Sequence, residues 1–188
     1  MRACVLILIA NVMLVLGGCK GAGPQYAPTA TIRDLMDSIV DPNADFLWES
    51  VSATYTAKGS DEKMPRTDEE WAEVRRHAIA LVESTNLLLV PDRRVAKPGE
   101  KADNPEFETD PQEIEAMISR DRATFETRVR ALRDAAMKTL AAIESRNVSA
   151  LGDSGDELDM ACEACHEIYW YKKEEVPGRG AVGSIRLP

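Results

Sequence analysis

Cys162-Glu-Ala-Cys165-His166 places two thiols about one helical turn apart, with an imidazole directly after the second. This spacing suits covalent attachment of one c-type haem. The two thiols form thioethers with the haem vinyl groups, and His166 reaches the iron. Attachment and ligation on a single turn let the site resist haem loss even where the surrounding core is small. Other readings stay open at this point. A redox dithiol usually accompanies a βαβ pattern, whereas the flanking residues here read as helical. A structural zinc site needs four ligands, and His77 is the one distant histidine available to join Cys162, Cys165 and His166. A plain disulfide across the CxxC is the remaining option.

The start of the chain points to export. Arg2 precedes an apolar run from Ala3 to Leu16, broken only by Asn11. That length fits a signal-peptide core rather than the ~20 residues of a membrane-spanning helix. The run ends in Leu16-Gly17-Gly18-Cys19, which resembles a bacterial lipobox. Residues 1–18 are therefore expected to leave as a lipoprotein signal peptide, with Cys19 lipidated as the first mature residue and anchored to a membrane through its acyl chains. The expected location is periplasmic. By resemblance to enteric lipoproteins, Lys20 in place of Asp leans toward the outer membrane. The four cysteines are then all assigned: Cys4 to the leader, Cys19 to lipid, Cys162 and Cys165 to haem.

Removing 18 of 188 residues leaves 170, enough for one domain with a substantial core. The net charge of -9 becomes -10 once Arg2 is lost. An acidic chain argues against nucleic acid as partner, since phosphate binding relies on clustered Lys and Arg. It suits a basic redox partner, and it also keeps an exported protein soluble.

Residues 19–30, with Pro24 and Pro28, read as a tether, and 31–175 as the domain, followed by a tail at 176–188. Thr31 caps a first helix whose apolar positions are Ile32, Leu35, Met36, Ile39 and Val40. Pro42 kinks or restarts it, and the helix extends to about Thr54. Thr67 and Glu70 form a capping box for a second helix ending near Val90. A long polar connection reaches Asp110-Pro111, which starts a third helix running to about Asn147. Gly152 to Gly155 turn the chain into a fourth helix, from about Asp156 to Lys173, that carries the haem motif. Four amphipathic helices without strand alternation predict an all-α protein, an antiparallel four-helix bundle with one covalently bound haem on the C-terminal helix.

A CxxCH on the last helix of such a bundle resembles the class II c-type cytochromes, namely cytochrome c-prime with its five-coordinate haem and the methionine-ligated low-spin relatives. The resemblance spans roughly residues 30 to 173 and rests on Cys162-Glu-Ala-Cys165-His166-Glu-Ile-Tyr169 together with Met36 early in the first helix. It implies that Met36 is the sixth iron ligand, with His77 or an open site as the competing arrangements. It also implies a possible homodimer. Class II members commonly carry a basic residue four positions after the haem histidine, where this chain has Trp170. The expected function is a monohaem carrier of single electrons between redox partner proteins at a membrane surface. The alternative is a five-coordinate haem protein that binds nitric oxide or carbon monoxide. No nucleophile-base arrangement or phosphate-binding loop suggests an enzyme.

Overall fold

The computed structural model describes residues 28–56 and 59–173. The expected leader, Cys19, most of the tether and the C-terminal tail lie outside the described residues.

Thr31 caps the first helical segment as expected. Its hydroxyl accepts from the Asp34 N–H, while the Asp34 carboxylate accepts from the Thr31 N–H. The helix starts as α1 (Ile32–Leu35), widens into one π turn (Met36–Val40), and continues as α2 (Asp41–Trp48). Pro42 accounts for the widening. A proline inside a helix lacks the N–H for the carbonyl four residues back, here Ser38, and its ring crowds that carbonyl. The π turn, closed by the Asp41 N–H on the Met36 carbonyl, lets the helix continue without a break. Burial registers the extra residue: Ile32 and Leu35 face the core, and the next core residues are Val40, Ala44 and Leu47.

Helix α2 stops at Trp48 instead of running to Thr54. The chain then forms an antiparallel hairpin, β1 (Ser52–Thr56) with β2 (Gly59–Lys63), in the register Ser52 to Lys63 and Thr56 to Gly59. The expectation of no strands is corrected here. Ser52-Ala53-Thr54-Tyr55-Thr56 is rich in residues that favour extended backbone, and Gly59 supplies a φ of 133° that other residues rarely adopt.

Thr67 and Glu70 cap α3 (Asp68–Leu88) with the predicted reciprocal box. Asp110 caps α4 (Pro111–Arg120), but the third helix is interrupted. Asp121, at φ -137° and ψ 72°, leaves helical backbone, and its carboxylate accepts from the Thr124 N–H to start α5 (Arg122–Glu144). Asn147 then caps α6 (Val148–Tyr169). Gly152 and Gly155 therefore lie inside α6, contrary to the expected turn. The Trp48 indole donates to the Gly155 carbonyl at 3.1 Å, and Val51 lies over Gly152. The small residues accept close neighbours; they do not end the helix.

The side-chain partners give the helix directions. Phe125 meets Tyr169 and Lys138 meets Glu157, so α5 and α6 run antiparallel. Arg75 pairs with Glu144 while Arg133 reaches Asn86, which makes α3 antiparallel to α5. Asn43 bonds His77, and Trp48 bonds Gly155. Contacts run from the first helix to α3, α3 to α5, α5 to α6, and α6 back to α2, closing an antiparallel four-helix bundle. Leu81, Leu88 and Leu158 are the largest apolar side chains sealed within it.

Two outcomes test this account. Lys97, then the Thr31 N–H and hydroxyl, hold the Asp34 carboxyl down at about 2. A carboxyl lowered on folding stabilises above its unfolded pKa of ~4 and loses that contribution as pH falls through the folded value. Urea midpoints of the parent should therefore fall between pH ~4 and ~2, and Asp34→Asn should flatten that part of the curve. An unchanged slope would contradict the Asp34 assignment. A Cβ at Gly152 would approach the Val51 Cγ1 at 3.6 Å, an ordinary contact. Gly152→Ala should thus raise thermal stability by up to ~1 kcal/mol through helix propensity, and a loss would mean the close packing needs glycine.

Candidate functional site

The core-facing positions of α6 are Leu151, Ser154, Leu158 and Tyr169. Cys162 and Cys165 fall on the same row and are packed against the core. Helical phase alone turns both thiols inward, and His166 follows at the edge of that row with its side chain 34% exposed. The imidazole is thus reachable both from the interior and from the cavity mouth.

Two adjoining spaces open on this face. One, about 80 Å³, lies among Ile32, Met36, Ile114, Phe125, Cys165 and His166. The other, about 40 Å³, reaches Cys162, Asp41 and Arg128 and shares Met36, Phe125, Cys165 and His166 with the first. Met36, from the first turn of the π segment, and His166, from α6, therefore line the same spaces. Burial pushes the Cys162 thiol up to about 12, with the Asp41 carboxylate adding to it, and burial pushes Cys165 up to about 11.

These features bear on the competing readings of the motif. Reactive dithiols have lowered pKa values, often at helix N-termini. Cys162 and Cys165 instead lie late in α6 and are held as free thiols. The zinc reading needs His77 nearby, yet the His77 Nδ1 is 2.8 Å from the Asn43 Oδ1, and its ring stacks on Phe46 at 3.7 Å. Among the described residues no three His, Cys, Asp or Glu side chains gather into a metal cage. A flat apolar ring system suits the site better. Thiols at i and i+3, an imidazole beside them, an apolar wall and a thioether on the same cavity match the donors that c-type haem takes.

The connection between α3 and α4 closes one side of this space. Ile32 and Arg33 donate their N–H groups to the Arg94 and Val95 carbonyls at 2.9 and 3.0 Å, which satisfies two of the open amides at the start of α1. At its other end the connection pairs with the chain leaving α6: Thr109 donates to the Trp170 carbonyl, and Lys172 donates to the Phe107 carbonyl, both at 2.8 Å. Val95 and Ala96, within the connection, are buried. Sequence reasoning missed these lining residues. The signal was an apolar pair within an otherwise charged stretch. Arg33, on the cavity wall, forms an ion pair with Asp103 of this connection and donates to the Lys101 carbonyl.

After the motif, Tyr169 is buried edge-on against Phe125, whereas Tyr171 is 42% exposed and bonds Glu163. The Trp170 ring stands 6.0 Å from that of His166. One of the three aromatic residues thus belongs to the core, and the other two flank the imidazole.

The fold and site define a four-helix bundle with one short hairpin, whose last helix presents a CxxCH row to an apolar cavity. No protein-family model matches the chain, and no curated protein matches it. Among solved structures it is similar to ferric cytochrome c prime from Alcaligenes xylosoxidans, at 23% identity and a TM-score of 0.46, over 77% of this chain and 98% of that one. A nitric oxide complex of a mutant of the same cytochrome is similar at 22% identity and a TM-score of 0.45, with the same coverage. Another structure, named cytochrome c', is similar at 17% identity and a TM-score of 0.45, over 76% and 98% of the two chains. The reading of the site rests on this chain's own residues.

Glu115 of α4 holds the connection by accepting from the Arg94 guanidinium at 2.8 Å and the Val95 N–H at 3.0 Å. Glu115→Ala should free the Val95 amide and speed its hydrogen exchange about tenfold, with global stability little changed. Unchanged exchange would show that the backbone bonds alone hold the connection in place.

Proposed function

We propose that this chain is a monohaem c-type cytochrome, similar to the class II kind, which carries single electrons between redox proteins and does not transform a substrate. The observation that carries the reading is the placement of Cys162, Cys165 and His166 on the inward row of α6, with Met36 lining the same cavities. Cys162 and Cys165 would hold the haem through two thioether bonds, each a redox-neutral addition of a thiol to a vinyl group.

His166 and Met36 would ligate the iron, and the bound haem would supply a ferric–ferrous couple that an imidazole–thioether ligand pair shifts toward the ferrous side. The protein's part is to keep both ligands on rigid helices, exclude water with Ile32, Ile114 and Phe125, and leave one edge of the site near the surface. Acidic charge overall suits a basic partner. Lipidation at Cys19 would tether the carrier to a bacterial membrane on the periplasmic side. Among the described residues no helix is long and apolar enough to cross a membrane.

A second reading is favoured by the wall on the Met36 side. Ile32, Ile114 and Phe125 form an apolar shelter that suits a small neutral diatomic. If Met36 shields the iron without ligating it, the protein binds nitric oxide or carbon monoxide at an open position.

Absorption spectra of the periplasmically matured protein separate these readings. Methionine ligation predicts a low-spin ferric spectrum with the weak far-red band of an iron–sulfur bond, and Met36→Ala should turn it high-spin. A high-spin parent unaffected by Met36→Ala would instead support the open site. Replacing both Cys162 and Cys165 by Ala should make the haem extractable by acid acetone. Extraction of all haem from the parent would overturn the c-type assignment itself.

A further inference from the structure

The π turn fixes more than the path around Pro42. An α-helix advances about 100° per residue, so one inserted residue rotates everything before it relative to everything after it by about that angle. With the turn in place, Met36 lines the cavities shared with His166, while Val40, Ala44 and Leu47 face the core. In a regular α register Leu35, five residues before Val40, would lie about 140° from it. A return to that register would turn Leu35, and Met36 with it, relative to the core residues of α2.

A side-chain brace is set into the turn. The Asn43 amide donates to the Ile39 carbonyl, which lies within the π turn, at 2.5 Å. The Asn43 Oδ1 is an acceptor and lies 2.8 Å from the His77 Nδ1, so that nitrogen carries the donated hydrogen. The His77 ring in turn stacks on Phe46 at 3.7 Å and 14°. Ile39, Asn43 and Phe46 form one row of the first helix, and His77 of α3 joins the last two across the interface. The chain of bonds therefore runs from a core helix to a carbonyl inside the turn that bears Met36.

We infer that Asn43 and His77 are positioning residues for the distal side of the site: they hold the π turn in register and thereby set whether Met36 stands over the iron. This rests on the haem reading above. Neither residue touches the cofactor; each acts through the backbone on Met36. It follows that the accessibility of the sixth position is controlled from the helix interface remote from the CxxCH row.

The test uses the full-length, haem-loaded protein with carbon monoxide as probe. Asn43→Ala removes both bonds and should raise the high-spin fraction of the ferric protein, and speed carbon monoxide binding to the ferrous protein about tenfold, the scale of one lost buried hydrogen bond. His77→Ala should act in the same direction. His77→Asn, whose amide nitrogen replaces Nδ1, should return both readouts toward the parent. If Asn43→Ala does not fold, Asn43→Asp keeps the acceptor for His77 and loses only the donor to Ile39, and the same changes are expected from it. Parent-like spectra and carbon monoxide rates in these variants would overturn the inference, even with a lowered melting temperature. The haem–methionine reading fails separately. Met36→Ala with an unchanged spectrum removes ligation by Met36, and the inference then stands or falls on the carbon monoxide rates, which a shielding Met36 would still govern.

Discussion

The helical phase of α6 is the constraint on which the rest depends. Leu151, Ser154, Leu158 and Tyr169 must all face inward for the bundle to close, and the three- and four-residue spacing of that row continues through Cys162 and Cys165. A helix cannot bury the first set and expose the second without unwinding. Burying one leucine such as Leu158 is worth about 1.5–3 kcal/mol. The core therefore aims the two thiols, and no separate device is needed to orient them. His166, one residue beyond the row, inherits its position at the boundary from the same phase. This explains how a chain with few aromatic residues can still present an ordered cofactor wall.

The first helix meets the opposite demand by breaking its phase. It has to bury Leu35 and also Val40, Ala44 and Leu47. Leu35 lies five residues before Val40, about 140° away in a regular α register, and Pro42 makes that register costly in any case, by about 3 kcal/mol or more for an interior proline. The π turn serves both needs with one inserted residue. A proline that would normally end a helix thus coincides with the place where the helix must rotate. Pi turns of this sort recur at functional sites because they reorient side chains without ending the element.

Much of this architecture was readable from residue order because it depends on local chemistry. Thr31 with Asp34, Thr67 with Glu70, and Asp110 before Pro111 satisfy open amides within a few residues of themselves, so each is visible without knowledge of the fold. CxxCH is legible for the same reason. The misread elements depend on partners far along the chain. Gly152 and Gly155 look like punctuation until Trp48 and Val51 are seen against them. The interruption at Asp121 leaves the apolar period nearly intact on either side, so periodicity runs straight through it. The hairpin at 52–63 is too short and polar on its second strand for alternation to show. Met36 was singled out by resemblance. The π turn that begins at Met36 could not be seen, because it inserts a single residue.

The connection between α3 and α4 shows why charge pattern misleads about such segments. Its ion pairs, Arg33 with Asp103, Arg94 with Glu115 and Lys97 with Asp34, each involve at least one well-exposed side chain, and pairs of that sort contribute little, about 0–1 kcal/mol each. What places the segment is backbone. It supplies carbonyls to the first two amides of α1, and at its far end it joins the extended residues that follow α6. These are the ends of the two helices that carry Met36 and His166. A stretch that reads as a solvated linker therefore ties together the two sides of the cavity, and it does so through main-chain groups that every residue type possesses and that composition cannot reveal.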